Sequence, residues 1–131
     1  MAAVKEFSYT LADGTTRVEL STYNNQNNLH IRRFYNNEFP TREGICLKER
    51  DIPEFLKLKS AINRAYEEKE AWEYEFNEYI GVTCYPSGTV DFRYKIRLQC
   101  DKILYSKKKG ITLKRPLIEQ LFDILCKEYC Y

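Results

Sequence analysis

The chain has 131 residues, a formal net charge of +2 and an aromatic content of 15%, with 11 Tyr and 7 Phe. That length suits one ordinary domain or two very small ones. Because the net charge is small, bulk charge does not indicate a nucleic-acid partner, and any electrostatic footprint must be local. No apolar run approaches the ~20 residues of a membrane span, and the N-terminus carries no signal-peptide pattern, so we expect no membrane partner.

The first half of the chain predicts four strands and then a helix. The alternating segment "KEFSYTL" precedes an Asp13-Gly14 turn and the alternating segment "RVELSTY", which is typical of a β-hairpin. The segment "LHIRRFY" predicts a third strand, and "GICLK" a short fourth strand after a loop. Asp51 is positioned to cap a helix, and Pro53 fits its first turn. The apolar stripe of this helix consists of Ile52, Phe55, Leu56, Ile62 and Tyr66.

The second half predicts the same order of elements. Its strands are expected in "YEFNEYIGVTCY", "TVDFRYKIRL", "KILYS" and "GITLK". Pro116 opens a second helix, whose apolar stripe consists of Leu117, Ile118, Leu121, Phe122, Leu125 and Tyr129. The acidic run from Tyr66 to Tyr79 is interpreted as the solvated end of the first helix and a linker. Within it, Trp72 is expected to pack over the junction between the halves.

The two halves are related by an internal repeat. After Gly44, the residues Ile45, Leu47, Lys48 and Ile52 have the same offsets as Ile111, Leu113, Lys114 and Ile118 after Gly110. Upstream, "LHIR" matches "VDFR", and the period is about 60 to 66 residues. A module of this size buries only ~60% of its unfolded surface, so we expect the halves to bury against each other. The prediction is an α+β chain of two tandem ββββα modules, residues 1–70 and 71–131, docked as an intrachain pseudo-dimer.

The cysteines predict free thiols rather than disulfides or a metal site. Their number is odd, they are scattered, and no secretory signal is present, which indicates a reducing compartment. Cys126 and Cys130 are four positions apart and would share a helix face. However, His30 is the single histidine and no Cys-x-x-Cys pair accompanies them, so we expect neither a zinc site nor another cofactor.

Motifs for catalysis are missing from the sequence. There is no Gly-x-Ser-x-Gly nucleophile motif and no phosphate-binding glycine loop. A single histidine leaves no obvious base for a cysteine nucleophile. We therefore expect that the protein is not an enzyme.

The repeated pattern resembles the positive cofactor four family of transcriptional coactivators. The resemblance lies in the strand order, the "IR" strand, the charged hairpin ending in Gly-Ile-x-Leu and the helix that follows, once in each half. Members of that family usually carry one copy and form homodimers, in which each subunit has a curved antiparallel sheet backed by a helix. Their sheets offer grooves to single-stranded DNA or melted duplex. The resemblance therefore implies that this chain joins two such units covalently.

The resemblance also implies which residues bind nucleic acid, through rings that stack on bases and cations that contact phosphates. These residues are Tyr23, Arg32, Tyr35 and Arg42 in the first half and Tyr85, Arg93, Lys107, Lys108 and Lys109 in the second. The sequence departs from the family pattern at Glu43, where a basic residue is usual, and at Ile96, which stands where the first half has Tyr35. We infer that the two grooves are unequal, or that one strand crosses both.

Two functions follow from this sequence. The first is a nuclear protein that binds single-stranded DNA or unwound duplex with low sequence specificity in transcription or replication, with RNA left open as a ligand. The alternative is a non-enzymatic interaction module or scaffold for transcription machinery or another nucleoprotein complex. The doubled arrangement also fits a virus-encoded homologue. Whether the protein forms further homo-oligomers depends on the outer strand edges, which the sequence does not reveal.

Overall fold

A computed structural model describes residues 6–36 and 38–129. The strands are β1 Phe7–Thr10, β2 Thr16–Tyr23, β3 Gln26–Tyr35, β4 Phe39–Lys48, β5 Trp72–Glu75, β6 Ile80–Cys84, β7 Val90–Arg97 and β8 Ile103–Leu113. The helices are α1 Ile52–Glu68, which follows a 3-10 turn at Glu49–Asp51, and α2 Arg115–Tyr129. Each half has four strands followed by a helix, although the strands of the second half do not coincide with the four predicted segments. The predicted domain boundary after residue 70 falls between α1 and β5 and stays a prediction.

The eight strands form one sheet in the order β1-β2-β3-β4-β8-β7-β6-β5. Neighbouring strands are antiparallel except β4 and β8, which are parallel and share the pair Glu43–Gly110. The predicted fold of two tandem ββββα modules, each with its own sheet and docked as a pseudo-dimer, is therefore wrong. The last strand of each half would have been a free edge, and pairing β4 with β8 satisfies both edges within one continuous mixed sheet.

Several local predictions need correction as well. Asp51 precedes α1, but its side chain makes no capping hydrogen bond. "GICLK" is only the end of a ten-residue strand, and "KILYS" and "GITLK" belong to the single strand β8. Trp72 begins β5, an edge strand, and so lies away from the β4–β8 pair, although it does contact the first half. Its ring packs instead under the guanidinium of Arg64 in α1, 4.1 Å from the ring centroid.

Each helix contacts strands of the other half. Phe55 of α1 stacks on Phe92 of β7, with ring centroids 5.5 Å apart, and on Phe122 of α2 at 5.6 Å. At the other side of the core, Glu128 of α2 accepts a hydrogen bond from Tyr9 of β1. Gln120 of α2 likewise accepts one from the backbone N–H of Ala12. The buried apolar residues form one cluster that draws on both halves, so their cores are inseparable.

The junction between the halves is reinforced by Arg33 of β3. Its guanidinium lies 2.6 Å from the Glu43 carboxylate in β4 and donates to the carbonyl oxygen of Thr112 in β8 at 2.5 Å. Arg33 thus adds a side-chain link from β4 to β8, which share the residue pair Glu43–Gly110. Glu43, the acidic departure from the family pattern, is therefore a structural partner of Arg33.

We expect Arg33→Ala to lower the free energy of unfolding by about 1–2 kcal/mol, because it removes a charged hydrogen bond and a partly exposed ion pair. For a chain of this size, that is a fall in melting temperature of roughly 3–6 °C. The matched control is Arg97→Ala, which removes an ion pair to Glu75 between side chains that are both about half exposed. Equal melting temperatures of the two variants would contradict this role of Arg33.

Candidate functional site

The two halves repeat the same strand register up to a pair formed by an arginine and a glycine. Arg32 of β3 pairs with Gly44 of β4, and Arg93 of β7 pairs with Gly110 of β8. In both halves, the register shifts immediately beyond this pair. The repeat seen in the sequence therefore places an irregularity at the same point of both hairpins. Such bulges re-aim side chains that regular alternation would send to opposite faces.

In the first half, the irregularity is residues 41–43 of β4, which lie opposite Arg33 alone, because Arg32 pairs with Gly44 and Phe34 with Pro40. We call it the first bulge. The Thr41 hydroxyl donates to the Arg33 carbonyl oxygen at 2.9 Å and accepts from the Glu43 N–H at 3.1 Å. These bonds hold the bulge and leave the Arg42 side chain exposed.

In the second half, residues 106–109 of β8 lie opposite Tyr94 alone, because Arg93 pairs with Gly110 and Lys95 with Tyr105. We call it the second bulge. The Ser106 hydroxyl oxygen accepts from the N–H groups of Lys108 at 3.3 Å and Lys109 at 2.9 Å. Ser106 thus has the place that Thr41 has in the first bulge. The "SKKKG" segment is an ordered interruption of a strand, with all three lysine side chains exposed.

The two bulges face one cleft of ≈ 1380 Å³, here called the bulge cleft. Its lining residues are Arg32, Pro40, Thr41, Arg42 and Gly44 from the first half and Tyr79, Tyr94, Lys95, Ile96, Leu104, Tyr105, Ser106, Lys107, Lys108 and Lys109 from the second. Six of them are cations, three are tyrosines, and none of the lining residues that the structure describes is acidic. The arrangement concentrates positive charge that a net charge of +2 conceals.

The tyrosines of the bulge cleft differ in exposure. Tyr79 and Tyr105 are 64% and 53% exposed, so their rings are available for stacking. Tyr94 is half-buried, and its hydroxyl accepts the backbone N–H of Cys46 in β4 at 2.8 Å. Burial raises the pKa of the Tyr94 hydroxyl, which therefore stays protonated at neutral pH. Tyr94 fixes the two halves at the base of the cleft, whereas the exposed rings line its wall.

One end of the bulge cleft is bounded by negative charge. The Lys95 side chain is only 4% exposed, and its ammonium lies 3.5 Å from a carboxylate oxygen of Glu75. Arg97 also pairs with Glu75, at 3.2 Å. Lys95 is therefore largely neutralised. The remaining cations of the cleft, Arg32, Arg42, Lys107, Lys108 and Lys109, form no ion pair with any residue in the described ranges.

Arg32 and Arg93 have equivalent positions but different surroundings. Arg32 donates to the Thr41 carbonyl oxygen at 2.8 Å and lines the bulge cleft. Arg93 lies 3.0 Å from the Asp91 carboxylate and donates to the Thr112 hydroxyl at 3.2 Å. The residue of the first half that matches Asp91 in register is His30. Burial, followed by the charge of Arg32, lowers the pKa of His30, so this ring is neutral at pH 7.

The structure brings together five of the nine residues predicted from the resemblance, namely Arg32, Arg42, Lys107, Lys108 and Lys109. Arg93 lies in a neighbouring depression that shares Arg42, Lys107 and Lys108 with the cleft. The other three predicted residues are rings at the ends of strands and do not line the bulge cleft: Tyr23, Tyr35 and Tyr85, which are 73%, 66% and 42% exposed.

Five residues of the cleft were not predicted from the sequence: the rings Tyr79, Tyr94 and Tyr105 and the bulge residues Thr41 and Ser106. Tyr79 lay in the segment interpreted as a solvated linker. A hydroxyl residue a few positions before each repeated glycine, in "TREG" and "SKKKG", was the available signal for the bulges. Ser and Thr favour such local bonds between side chain and backbone. Tyr105, Lys107 and Lys109 are each two positions apart in the sequence. Regular strand alternation would therefore have placed Tyr105 on the same face as these two lysines.

Other kinds of site find no support in the described part of the chain. No group of three or more His, Cys, Asp or Glu side chains is placed to hold a metal ion there. Cys130 of the predicted Cys126–Cys130 pair lies outside the described residues. Neither helix, in the ranges 6–36 and 38–129, has the length and apolar character of a membrane span. Comparison of the chain with protein-family models, curated proteins and solved structures found no match.

Proposed function

We propose that the protein binds single-stranded nucleic acid in the bulge cleft. The observation that carries this proposal is the convergence of six cations and three tyrosines, without a lining carboxylate, in one open cleft. Proteins that hold single strands without sequence preference combine a positively charged groove with aromatic platforms. Tyr79 and Tyr105 supply exposed rings, and the two bulges supply cations for the phosphates.

A single strand is the proposed ligand because its bases are available to rings. Stacking of one base on an aromatic side chain contributes about 1–3 kcal/mol and tolerates every base. In a duplex the bases are stacked on one another, and only the phosphates would reach the lysines. The proposed preference is therefore for single strands over duplex, with little dependence on sequence. DNA and RNA share the phosphates and base faces used here, so RNA stays open.

The cellular role is proposed only from the resemblance stated for the sequence. Binding of single strands or melted duplex suits a nuclear protein of transcription or replication, acting as a coactivator or protecting exposed strands. No step of this role involves catalysis or a cofactor.

A protein ligand is the second candidate, and the apolar residues of the cleft favour it. Ile96 and Leu104, which pair across β7 and β8, are 67% and 46% exposed. Apolar side chains beside lysines suit an acidic peptide with hydrophobic residues, such as a tail of the transcription machinery. An acidic amphipathic peptide that binds more tightly than an oligonucleotide at equal salt would favour this candidate.

We expect binding of a fluorescent 12-nucleotide oligodeoxythymidylate to weaken steeply with salt. Five cleft cations lack an ion pair with described residues, and each phosphate contact to a single strand contributes ~0.7 to the slope of log K against log salt. The expected slope is therefore about −3.5. The measurement is a fluorescence anisotropy titration between low and moderate potassium chloride concentrations.

The same titration has two comparisons and a clear negative outcome. A 12-base-pair duplex is expected to bind more weakly than the single strand at every salt concentration, and oligouridylate tests RNA. If no single strand binds at low salt, or if affinity does not change with salt, nucleic acid is not the ligand.

A further inference from the structure

We propose that each chain holds one single strand, which passes between the first and second bulges, and that the second half has no equivalent site of its own. The inference rests on the proposed function and specifies its stoichiometry. The inference follows from a difference in charge pairing between the two halves, which otherwise match in sequence and strand register. An internal repeat by itself predicts two sites, one on each half.

The first step is that the bulge cleft contains parts of both halves. Arg32, Thr41 and Arg42 come from β3 and β4, whereas residues 106–109 come from β8. The parallel pairing of Glu43 with Gly110 places the ends of the two bulges side by side. Cations from both repeats are therefore used in one cleft. A strand that contacts both bulges occupies the phosphate-binding side chains of both halves at once.

The second step concerns the arginine that each half carries at the same register position. Arg32 bonds to a carbonyl oxygen and retains its net charge beside the cleft. In the second half, the Arg93 Nε–H donates a bifurcated hydrogen bond to both Asp91 carboxylate oxygens, each at 3.1 Å, and Asp91 also accepts one from the Thr112 hydroxyl. The carboxylate both neutralises the guanidinium and presents negative charge to an approaching phosphate. Because His30 replaces this carboxylate in the first half, Arg32 has no ion pair with any described residue, whereas Arg93 has one.

The third step is that negative charge limits the second half elsewhere. Lys95 and Arg97, the next cations along β7, share the carboxylate of Glu75 in β5. Each described cation of β7 is thus paired with an acid of its own half. The cations of β8 lie in the second bulge and already face the bulge cleft. A second strand lying along β7 would meet Asp91 and Glu75, where each described cation of that strand is already paired.

The test counts strands per chain with an eight-nucleotide oligodeoxythymidylate at low salt. Isothermal titration calorimetry and native mass spectrometry are both expected to give one oligonucleotide per chain at saturation. Two strands per chain, or one strand shared by two chains, would overturn the inference and leave the proposed function standing. Absence of binding to any single strand would overturn both.

A matched pair of variants tests the same inference independently of the count. Arg32→Ala is expected to weaken binding about eightfold at 50 mM salt, the loss of one phosphate contact. Removal of the balanced pair together, as Asp91→Asn with Arg93→Ala, is expected to change affinity less than ~2-fold, since it leaves the local net charge unchanged. Circular dichroism melting confirms that both variants are folded. Equal losses of affinity, or a greater loss for the variant that lacks the Asp91–Arg93 pair, would overturn the inference.

Discussion

Gly110→Ala is expected to lower the free energy of unfolding by about 3–5 kcal/mol, the combined cost of backbone strain and overpacking. Gly110 has a φ of 153°, in a region that side chains with a Cβ rarely adopt. A Cβ built at this position would lie deep inside the van der Waals radius of the Phe92 carbonyl oxygen and 3.0 Å from Arg93 Cα. Both neighbours belong to the backbone of β7, so the strand itself would have to move. Chemical denaturation monitored by circular dichroism measures the loss.

The internal repeat provides the control for this glycine. A Cβ at Gly44 would lie 2.8 Å from Arg32 Cζ and 2.9 Å from Arg32 Cβ, and meets no backbone atom among its closest neighbours. Gly44→Ala is therefore expected to cost less, about 1–2 kcal/mol, because the arginine side chain can move partly aside. Equal destabilisation by the two substitutions would show that the strand at Gly110 is not uniquely constrained.

The order of helices and strands could be predicted because each element depends on hydrophobic periodicity over a few neighbouring residues. Ile52, Phe55 and Ile62 have helical spacing, and all three are buried on one side of α1. The alternation of Val18 and Leu20 likewise places both in the core. Such patterns depend on neighbours within a few residues, since a strand or helix must bury one face. The register of each half is repeated for the same reason.

The single sheet could not be predicted, because it depends on contacts between residues far apart in the chain. β4 and β8 are joined by one residue pair and by the side chain of Arg33, and neither leaves a periodic signal. A free edge and a paired edge have the same alternation in sequence. The contacts between each helix and the other half are equally hidden in the sequence. The apolar stripe of α1 shows that this helix buries one face, but it does not show which strands that face packs against.

Most cations of the candidate site were predicted from the sequence, whereas its tyrosines were not. Lys107, Lys108 and Lys109 are consecutive, so strict alternation would have sent them to different faces. Ser106 bonds to two of their backbone N–H groups and turns all three toward the cleft. Tyr94 is placed by the same bulge, because it alone lies opposite those four residues. The position of Tyr94 at the base of the cleft thus depends on an irregularity that a search for regular strands overlooks.

Removal of three cleft cations in the combined variant Arg42→Ala, Lys107→Ala, Lys108→Ala is expected to weaken single-strand binding several hundredfold at 50 mM salt. Each lost phosphate contact costs about eightfold at that concentration, and the losses multiply when the contacts act independently. All three side chains are exposed and form no ion pair with a described residue, so the fold should be unaffected. The slope of log K against log salt is expected to fall in magnitude by about 2, from ~3.5.

The control variant carries the same change of net charge on the helices, as Lys57→Ala, Lys59→Ala, Lys127→Ala. These lysines are exposed and do not line the bulge cleft. If binding followed the net charge of the whole molecule, the two triple variants would lose affinity equally. If it follows the bulge cleft, the helix variant keeps its affinity within about threefold and keeps its salt slope. Equal losses would contradict the bulge cleft as the interface, since charges far from a ligand in the cleft are screened beyond about 10 Å at moderate salt.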